Sequence, residues 1–349
     1  MNGDCAHVES ISLLEITLNH KDRNRTLIKL LVMTQLVTGI HHVTAIAGDP
    51  QKNLDFYTEF LGLRLVKKTV NFDAPGVYHF YYGDEQGNPG SILTFFPYSG
   101  LPGGRHGKGM LNTTSFSVPT NSQDFWMARL KRFGVNRKKA VERFEGEIAV
   151  YFEDNDGLGL ELIFNDRDSR KGYSSGDIPL EHSIKGFYNV EIWEEGYERT
   201  AALLTEQLDH KLISEKGNRF RFAATDSPGN YVDILCAPDS MKGLPGSGTV
   251  HHIAFATPGK ETQDNVRLRI VKRMLNPSPV LDRNYFTSIY FREPGGVLFE
   301  VATSGPGFDV DEPKEHLGEA LKLPAQYEEY REQIERKLPP VTIAIHNHQ

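Results

Sequence analysis

One supersecondary unit recurs four times along the chain, and this repeat limits the fold more than any other feature of the sequence. Each unit is βαβββ, an alternating strand and an amphipathic helix followed by strands joined at Gly or Pro turns. The four modules cover residues 38–99, 108–166, 183–238 and 248–304. A single module has one apolar sheet face and open edges, so it must pair with another to close a core. We therefore expect an α+β fold in which four modules pair into two half-barrel domains.

The first module carries clear local signals. Gly39–Ala47 alternates as a strand does, and Asp49 before Pro50 is typical of an N-cap followed by proline at the first helical position. Gly62 is predicted to end this helix, because glycine readily adopts the left-handed conformation that terminates helices.

A tail follows the fourth module over residues 305–349. The segment 325–337 is predicted to form an extra helix, since a proline precedes it and two prolines follow it. Its Tyr327, Tyr330 and Ile334 are predicted to form an apolar stripe that packs on the body of the protein.

Residues 1–32 differ from the rest of the chain. Their charges are scattered without a period of two or of 3.6, and Met33 is followed by a well-patterned strand. We expect these residues to be a disordered or non-native extension, with Met33 as the natural start.

Composition narrows the class of protein. The 39 basic and 46 acidic side chains among the 349 residues are interspersed, so no basic stripe predicts a nucleic acid or an anionic membrane as partner. No apolar run approaches the roughly 20 residues that a membrane span needs. The two cysteines, Cys5 and Cys236, lie far apart and indicate no disulfide framework. A cytoplasmic location is expected.

Equivalent positions of the repeat carry polar side chains that can converge inside a half-barrel. The first strands offer His42, Ser115, Asn189 and His252, and the last strands offer Thr94, Glu161, Asp233 and Glu300.

The pairing of the modules decides which of these side chains meet. Modules one and two together would offer His42 and Glu161, whereas modules three and four would offer His252, Glu300 and Asp233. Modules one and four would offer His42, His252 and Glu300, with a threonine at the fourth position. Two imidazoles and a carboxylate on one face are the ligands of non-heme Fe(II) oxygenases, and they also suit Mn(II) or Zn(II).

Two features favour a metal site. His-His occurs at 41–42 and again at 251–252, each time in the first strand of a module, and Glu300 lies in an apolar strand where a buried carboxylate is costly without a cation. Because side chains alternate along a strand, His41 and His251 should point away from the ion and support the site indirectly or be structural. Glu161 has no histidine in its module and is predicted to be a salt-bridged strand residue.

Two further side chains precede Glu300. Tyr290 lies on the strand whose turn leads back to Glu300, so its phenol is predicted to reach the open side of a metal. Arg283 is predicted to be a cation at the mouth of the site.

These residues stand in motifs that resemble a known family. The motifs are Gly39–Thr44, Tyr78–Asp84, Leu93–Pro97, Val250–Phe255 and Leu298–Val301. From about Met33 to the C-terminus the chain resembles ring-cleaving dioxygenases of the vicinal oxygen chelate, or glyoxalase/bleomycin resistance/dioxygenase, superfamily, specifically the hydroquinone-cleaving extradiol branch. Tyr98, where the family pattern suggests tryptophan, is a departure that bears on packing or pocket shape.

The resemblance implies that modules one and four pair around Fe(II), with Mn(II) as the other candidate, while modules two and three pair with each other. It places the metal on His42, His252 and Glu300. It also places a second set of residues around the substrate: His41, Thr44, His251, Arg283 and Tyr290. It implies catalytic roles for both of these histidines, for Arg283 and for Tyr290. Substrate binding is implied for Thr44, Arg283 and Tyr290.

The implied reaction inserts O2 into a hydroquinone-type ring, so the expected partners are a small aromatic substrate and O2, with a homo-oligomer compatible with the sequence. Two alternatives share the fold. A glyoxalase-type isomerase or lyase fills four protein positions at its metal, and Thr94 is not a ligand. A metal-free binding protein would have no reason to keep two histidines and a glutamate on convergent strands.

Overall fold

The four modules form two eight-stranded sheets, each curled into a half-barrel. The computed structural model describes residues 12–15, 29–32 and 35–343, so the expectation for residues 1–32 lies outside the described residues apart from two short strands. The strands are β1 Ser12–Glu15, β2 Lys29–Val32, β3 Gly39–Ala47, β4 Arg64–Asn71, β5 Ala74–Gly83, β6 Ile92–Pro97, β7 Met110–Val118, β8 Val141–Glu142, β9 Ile148–Glu153, β10 Gly159–Phe164, β11 Phe187–Glu194, β12 Lys211–Lys216, β13 Arg219–Ala223, β14 Tyr231–Cys236, β15 Thr249–Thr257, β16 Leu281–Asp282, β17 Phe286–Arg292 and β18 Leu298–Pro306.

Among the described residues, five α-helices connect or flank the strands. They are α1 Pro50–Asp55, α2 Gln123–Arg132, α3 Glu198–Gln207, α4 Lys260–Lys272 and α5 Arg331–Lys337. In the described part of the chain, no helix is long and apolar enough to cross a membrane.

Strand order explains how distant segments meet. One sheet has the order β16-β17-β18-β15-β3-β6-β5-β4 and the other has the order β12-β13-β14-β11-β7-β10-β9-β8. In every module the first and last strands lie side by side and parallel. The two halves of each sheet then join through antiparallel first strands, β3 with β15 and β7 with β11. The expected α+β fold of paired βαβββ modules is confirmed.

The first helix forms where its signals predicted it. The Asp49 carboxylate accepts hydrogen bonds from the backbone N–H groups of Gln51 and Lys52, at 2.9 and 3.0 Å. The chain continues beyond α1 as a π-helical turn over Phe56–Phe60. Gly62 then takes a φ of +67°, which explains why glycine ends this helix.

The apolar core is continuous between the two sheets. Phe60 of the first module contacts Trp126 and Phe152 of the second in edge-to-face geometry, with ring centroids 6.3 and 5.9 Å apart. All three rings are buried, so this contact holds the two sheets in a defined relation.

Within the four modules, three short or polar strands were not predicted individually. β8, β12 and β16 lie at sheet edges, and β12 is largely exposed, with Leu212 47% accessible. An edge strand without a buried face has no alternating apolar pattern to detect.

The C-terminal tail covers the outer edge of the first sheet. Leu321 forms a bridge to Lys68 in the edge strand β4, and the Tyr327 hydroxyl donates to the Phe72 carbonyl at 2.7 Å. The neighbouring Lys67 is fully buried and binds two tail carboxylates, those of Asp311 and Glu312, each at 2.5 Å.

The predicted tail helix is confirmed with two corrections. Residues 325–330 form a 3₁₀ turn, and α5 itself covers only Arg331–Lys337. Ile334 is buried as predicted, but Tyr330 is 45% exposed and is not part of an apolar stripe.

Two buried carboxyl groups meet where the sheets touch. Glu194 at the end of β11 and Glu293 in the β17–β18 turn are each 3% exposed, and the Thr200 hydroxyl lies 2.7 Å from the first and 2.6 Å from the second. The backbone N–H groups of Gly295 and Val297 donate to Glu293. Burial, and then the charge of Glu293, raises the pKa of Glu194 to about 8. Glu194 is therefore mostly protonated at neutral pH.

This pair predicts a pH-dependent stability. An unfolded glutamate loses its proton near pH 4.5 and folded Glu194 near pH 8, so the contribution of Glu194 to stability falls as pH rises between these values. We expect Glu194→Gln to raise the free energy of unfolding at pH 8 by about 1–3 kcal/mol and by less at pH 5, in urea titrations. The exposed neighbour Glu195 provides the control, because Glu195→Gln should follow the parent protein. A constant difference between Glu194→Gln and the parent at all pH values would contradict this explanation.

Candidate metal centre

Three potential ligands converge at the centre of the first sheet. His42 in β3, His252 in β15 and Glu300 in β18 are 2%, 5% and 0% exposed. Glu300 Oε2 lies 2.9 Å from Nε2 of His252 and 3.3 Å from Nε2 of His42, and the two nitrogens are 3.2 Å apart. Among the described residues, this is the one group of three or more His, Cys, Asp or Glu side chains with metal-binding spacing.

The spacing of the three atoms suits a divalent cation. Adjacent ligands on a metal with bond lengths of about 2.1 Å lie about 3 Å apart when they meet at right angles. The three measured distances of 2.9 to 3.3 Å match a set of ligands on one face of an ion. Such a set leaves the opposite face open to other molecules.

The surroundings of Glu300 point to the same conclusion. Ser288 donates a hydrogen bond to Oε1, whereas the buried Oε2 has no donor when both Nε2 atoms lack protons. Burial opposes ionisation of Glu300, but attraction to His42 and His252 when these rings are protonated holds the pKa of Glu300 well below its ordinary value. A buried carboxylate beside two imidazole lone pairs is costly without a cation, so the residues fit a metal.

The sheet positions both histidine pairs through bulges. In the β3–β15 pairing, the register skips His251 between Val250 and His252, and it skips His41 on the opposite strand. A bulge interrupts the alternation of side chains and redirects one of them. The strict alternation that would turn His41 and His251 away is therefore interrupted, and within each pair the rings lie about 5 Å apart. Neither residue belongs to the group of possible ligands, in agreement with the expectation of indirect support.

Each candidate ligand is hydrogen-bonded to its neighbour in the sequence. Nδ1 of His42 is 2.9 Å from Nδ1 of His41, and Nδ1 of His252 is 2.7 Å from Nδ1 of His251. If Nε2 of a ligand is unprotonated, its Nδ1 carries the proton and donates it to the neighbour. The neighbour then keeps its own proton on Nε2.

The supporting histidines are neutral, as this arrangement requires. Burial, followed by the charge of His42, lowers the pKa of His41 to about 3. His251 is open to the cavity, but protein surrounds the rest of its ring. This partial burial, and then the charge of His252, lowers the pKa of His251 to about 3 as well. Burial also lowers the pKa of His252. All three imidazoles can act as neutral donors and acceptors at pH 7.

A cavity of about 480 Å³ opens above the ligand triad. Its walls are mainly apolar and aromatic, with a few polar groups aimed inward, as is typical of small-molecule sites. The lining residues are His42, Thr44, Ile46, Asn71, Phe72, Asp73, His79, Tyr81, Phe96, Tyr98, His251, His252, Arg283, Phe286, Tyr290 and Leu298.

The predicted site residues are divided between the cavity and its support. Thr44, His251, Arg283 and Tyr290 line the cavity together with the two histidine ligands. His41 does not line it, because its ring is buried against Phe286 with centroids 4.9 Å apart.

Arg283 and Tyr290 form one polar unit. Arg283 Nε donates to the Tyr290 hydroxyl at 3.2 Å, and the guanidinium lies 3.8 Å from the exposed Asp73 at the mouth of the cavity. Burial, then the charge of Glu300, raises the pKa of Tyr290, so its hydroxyl keeps its proton at neutral pH.

Sequence reasoning missed His79 and Tyr81, which line the cavity from β5. The signal was present as a two-residue alternation, because the intervening Phe80 and the next residue, Tyr82, face the apolar core. Tyr98, which departs from the family pattern, also lines the cavity and accepts a hydrogen bond from Asn71 at 3.1 Å.

The strand pairing of the second sheet corrects one residue in the predicted alignment of the four first strands. In the first sheet, His42 pairs with Ala254 of β15. Glu191 of β11 corresponds to Ala254, and in the second sheet it pairs with Thr113. Thr113, not Ser115, therefore occupies the position of His42. The error is a shift of two residues, which alternation alone cannot detect because it preserves the face of the strand.

In that second sheet arginine side chains neutralise the carboxylates. Asp233, in the slot of Glu300, accepts hydrogen bonds from Arg219 at 3.0 Å and from Arg221 at 2.7 Å. Glu161 forms an ion pair with Arg143, as predicted. These carboxylates need no metal to balance their charge.

The triad predicts metal binding that depends on the charge of Glu300. We expect one divalent ion per chain, and Glu300→Gln should reduce Mn(II) affinity by more than the roughly 10- to 100-fold that loss of a supporting partner costs, in calorimetric titrations without O2. Glu161→Gln alters the last-strand carboxylate of another module and should leave the affinity unchanged. Equal affinity in Glu300→Gln and the parent would show that the triad is not the metal site.

Comparisons with known proteins agree with this geometry. Residues 39–162 match the family model described as the Glyoxalase/Bleomycin resistance protein/Dioxygenase superfamily. The chain is 43% identical over 311 residues to a Bacillus subtilis (strain 168) protein named "Putative ring-cleaving dioxygenase MhqO", covering 89% of this chain and 99% of that protein. It is 32% identical over 326 residues to the chlorohydroquinone/hydroquinone 1,2-dioxygenase of Sphingobium indicum (strain UT26S), covering 90% of this chain and all of that protein.

A solved structure extends the similarity to three dimensions. The crystal structure of a putative dioxygenase from Bacillus subtilis subsp. subtilis str. 168 has a TM-score of 0.85 and 43% identity, and the match covers 89% of this chain and 99% of that one. Sequence and fold thus agree over nearly the full length of these relatives. The chain belongs to the glyoxalase/bleomycin resistance/dioxygenase superfamily, among its ring-cleaving dioxygenases.

Proposed function

We propose that the chain holds Fe(II) on His42, His252 and Glu300 and inserts both atoms of O2 into a hydroquinone-type ring. The observation that carries this proposal is the facial set of two imidazoles and one carboxylate at the inner end of a largely aromatic cavity. The relative that acts on chlorohydroquinone and hydroquinone supports the substrate class. Mn(II) suits the same ligands and is the second candidate metal.

The metal, when bound, would supply adjacent open positions for the substrate oxygen and for O2 and would pass electrons between them. The modules that contribute the ligands are the first and the fourth. We propose that these two modules are the metal domain and that modules two and three form the other domain.

Tyr290 and Arg283 would manage charge on the substrate. A hydroquinone that loses a proton presents an anionic oxygen, and Tyr290, whose hydroxyl stays protonated, can donate a hydrogen bond to it. Arg283 orients that hydroxyl through its 3.2 Å contact and adds a positive charge at the mouth of the cavity. Both groups stabilise negative charge as it develops during the reaction.

The supporting histidines would have unequal roles. His251 lines the cavity and carries its proton on Nε2 when His252 binds a metal, so it can donate to a substrate oxygen or to a reduced oxygen species. His41 lies outside the cavity lining and would orient His42 without touching substrate. Thr44 lines the cavity beside His42 and would contact the bound ring.

A glyoxalase-type isomerase is the alternative with the same fold. The position that would supply a fourth protein ligand holds Thr94, which lies opposite Thr44 and is hydrogen-bonded to it at 2.8 Å. A three-ligand site favours oxygen chemistry over the four-ligand isomerase arrangement. A metal-free binding protein would leave the Glu300 carboxylate without a cation, at the cost described above.

Oxygen uptake tests the proposal. Protein loaded with Fe(II) without O2 and then mixed with hydroquinone and O2 should consume one O2 per ring, and mass spectrometry should find both oxygen atoms in a ring-opened product. Tyr290→Phe should lower kcat about 10- to 100-fold, because it removes a donor to developing charge. Tyr188→Phe removes a buried phenol of the second sheet, 2.6 Å from Glu147, and should leave kcat unchanged.

Two results would count against the dioxygenase. One is the absence of O2 uptake with any dihydroxybenzene by protein that has bound iron. The other is isomerisation of a hemithioacetal without O2, which would favour the glyoxalase-type alternative.

A further inference from the structure

His79 is a polar side chain that lines the cavity and has no role in the reaction proposed above. It lies on β5, where Tyr81 shares its face and lines the same cavity. Its ring packs against Tyr81 and Phe96, with centroids 4.0 and 4.3 Å apart. These contacts hold the imidazole in one place on the wall formed by module one.

A hydrogen-bonded chain fixes the orientation of this ring. Nε2 of His79 lies 3.0 Å from the Thr94 hydroxyl, which in turn lies 2.8 Å from the Thr44 hydroxyl. Thr94 is fully buried, so this contact is protected from water. With Nε2 engaged, Nδ1 is the ring nitrogen available to a molecule in the cavity.

The hydrogen bonds that link His79, Thr94 and Thr44 can run in either direction. If Thr94 donates to Thr44, it accepts from Nε2 of His79, and Nδ1 is then a free acceptor. If Thr94 instead donates to His79, the proton of the ring is on Nδ1, which becomes a donor. His79 can therefore accept a hydrogen bond from a hydroxyl or donate one to a deprotonated oxygen.

His79 is neutral and is not part of the metal site. Burial, then the charges of His42 and His252, lowers its pKa well below the ordinary value. It does not belong to the group of possible ligands, although it lines the same cavity as His42 and His252. A molecule bound at the triad must therefore extend toward β5 to reach His79.

We propose that His79 binds the substrate oxygen that lies across the ring from the metal ligands and so selects para-dihydroxylated rings. This inference rests on the proposed function and adds a specificity-determining residue to it. The two oxygens of an ortho-diol are neighbours and would both lie at the triad, whereas those of a para-diol point to opposite ends of the ring. Of the other polar groups that line the cavity, Asn71 is hydrogen-bonded to Tyr98, and Arg283, Tyr290 and His251 already have roles in the proposed function.

The test compares ligands that differ in one hydroxyl. Binding of hydroquinone and of 4-methylphenol, which lacks the second hydroxyl, is measured by calorimetry on Mn(II)-loaded protein without O2, so that no turnover occurs. The parent protein should bind hydroquinone more tightly. His79→Leu should weaken hydroquinone binding about 3- to 10-fold and leave 4-methylphenol binding unchanged. His79→Asn, which keeps a polar atom near the place of Nδ1, should restore part of the difference.

Further variants separate a specific contact from packing. Thr94→Val removes the hydroxyl that orients His79 at nearly constant volume and should reduce the preference for hydroquinone by less than His79→Leu does. Metal affinity measured for each variant reports whether the triad is intact. In turnover, His79→Leu should raise KM for hydroquinone more than it lowers kcat.

Two outcomes would overturn the role of His79. They are an equal loss of affinity for both ligands in His79→Leu, which indicates packing alone, and no loss for either ligand. The binding measurements do not depend on O2 chemistry. If the preference for hydroquinone is lost in His79→Leu but the parent protein consumes no O2, the dioxygenase proposal is contradicted and the role of His79 is supported.

Discussion

The antiparallel contact between β3 and β15 is the interaction on which the rest of the site depends. It joins the first and fourth modules and brings His42 and His252, 210 positions apart, to within 3.2 Å. Each strand contributes one bulged residue to this contact, and both bulged residues are histidines. Because of these bulges, each candidate histidine ligand is hydrogen-bonded to the histidine that precedes it in the sequence.

Features encoded locally could be predicted from the sequence. The helix start at Asp49, the stop at Gly62 and the fourfold repeat follow from short-range preferences, and counting polar side chains at equivalent positions brought forward His42, His252 and Glu300 among three possible pairings. The orientation of His41 and His251 could not be predicted, because a bulge is created by the register between strands that are distant in sequence.

The other errors and omissions have separate causes. The alternation along β5 separates His79 from the core residues, but its position at the cavity depends on how the sheet curls. Thr113 was exchanged for Ser115 because a shift of two residues preserves the face of a strand. Edge strands such as β12 lack the buried face that makes a strand recognisable.

The two sheets balance buried carboxylates in different ways. In the second sheet Asp233 is held by Arg219 and Arg221, covalent parts of the chain that cannot leave. In the first sheet the corresponding Glu300 has no arginine partner among the described ion pairs, and it lies 3.3 and 2.9 Å from Nε2 of His42 and of His252. One architecture thus gives one half in which arginines neutralise buried carboxylates and another half in which a buried carboxylate lies among potential metal ligands.

The pairing of the first module with the fourth also orders events during synthesis. β3 and β6 leave the ribosome long before β15, and the modules that form the entire second sheet are made in between. The second half-barrel can therefore close before the fourth module is made, while β3 of the first module still lacks its partner strand β15. The set of three potential ligands is complete only when the last module folds, so a nascent chain cannot hold a metal on all three residues before the fourth module has been made.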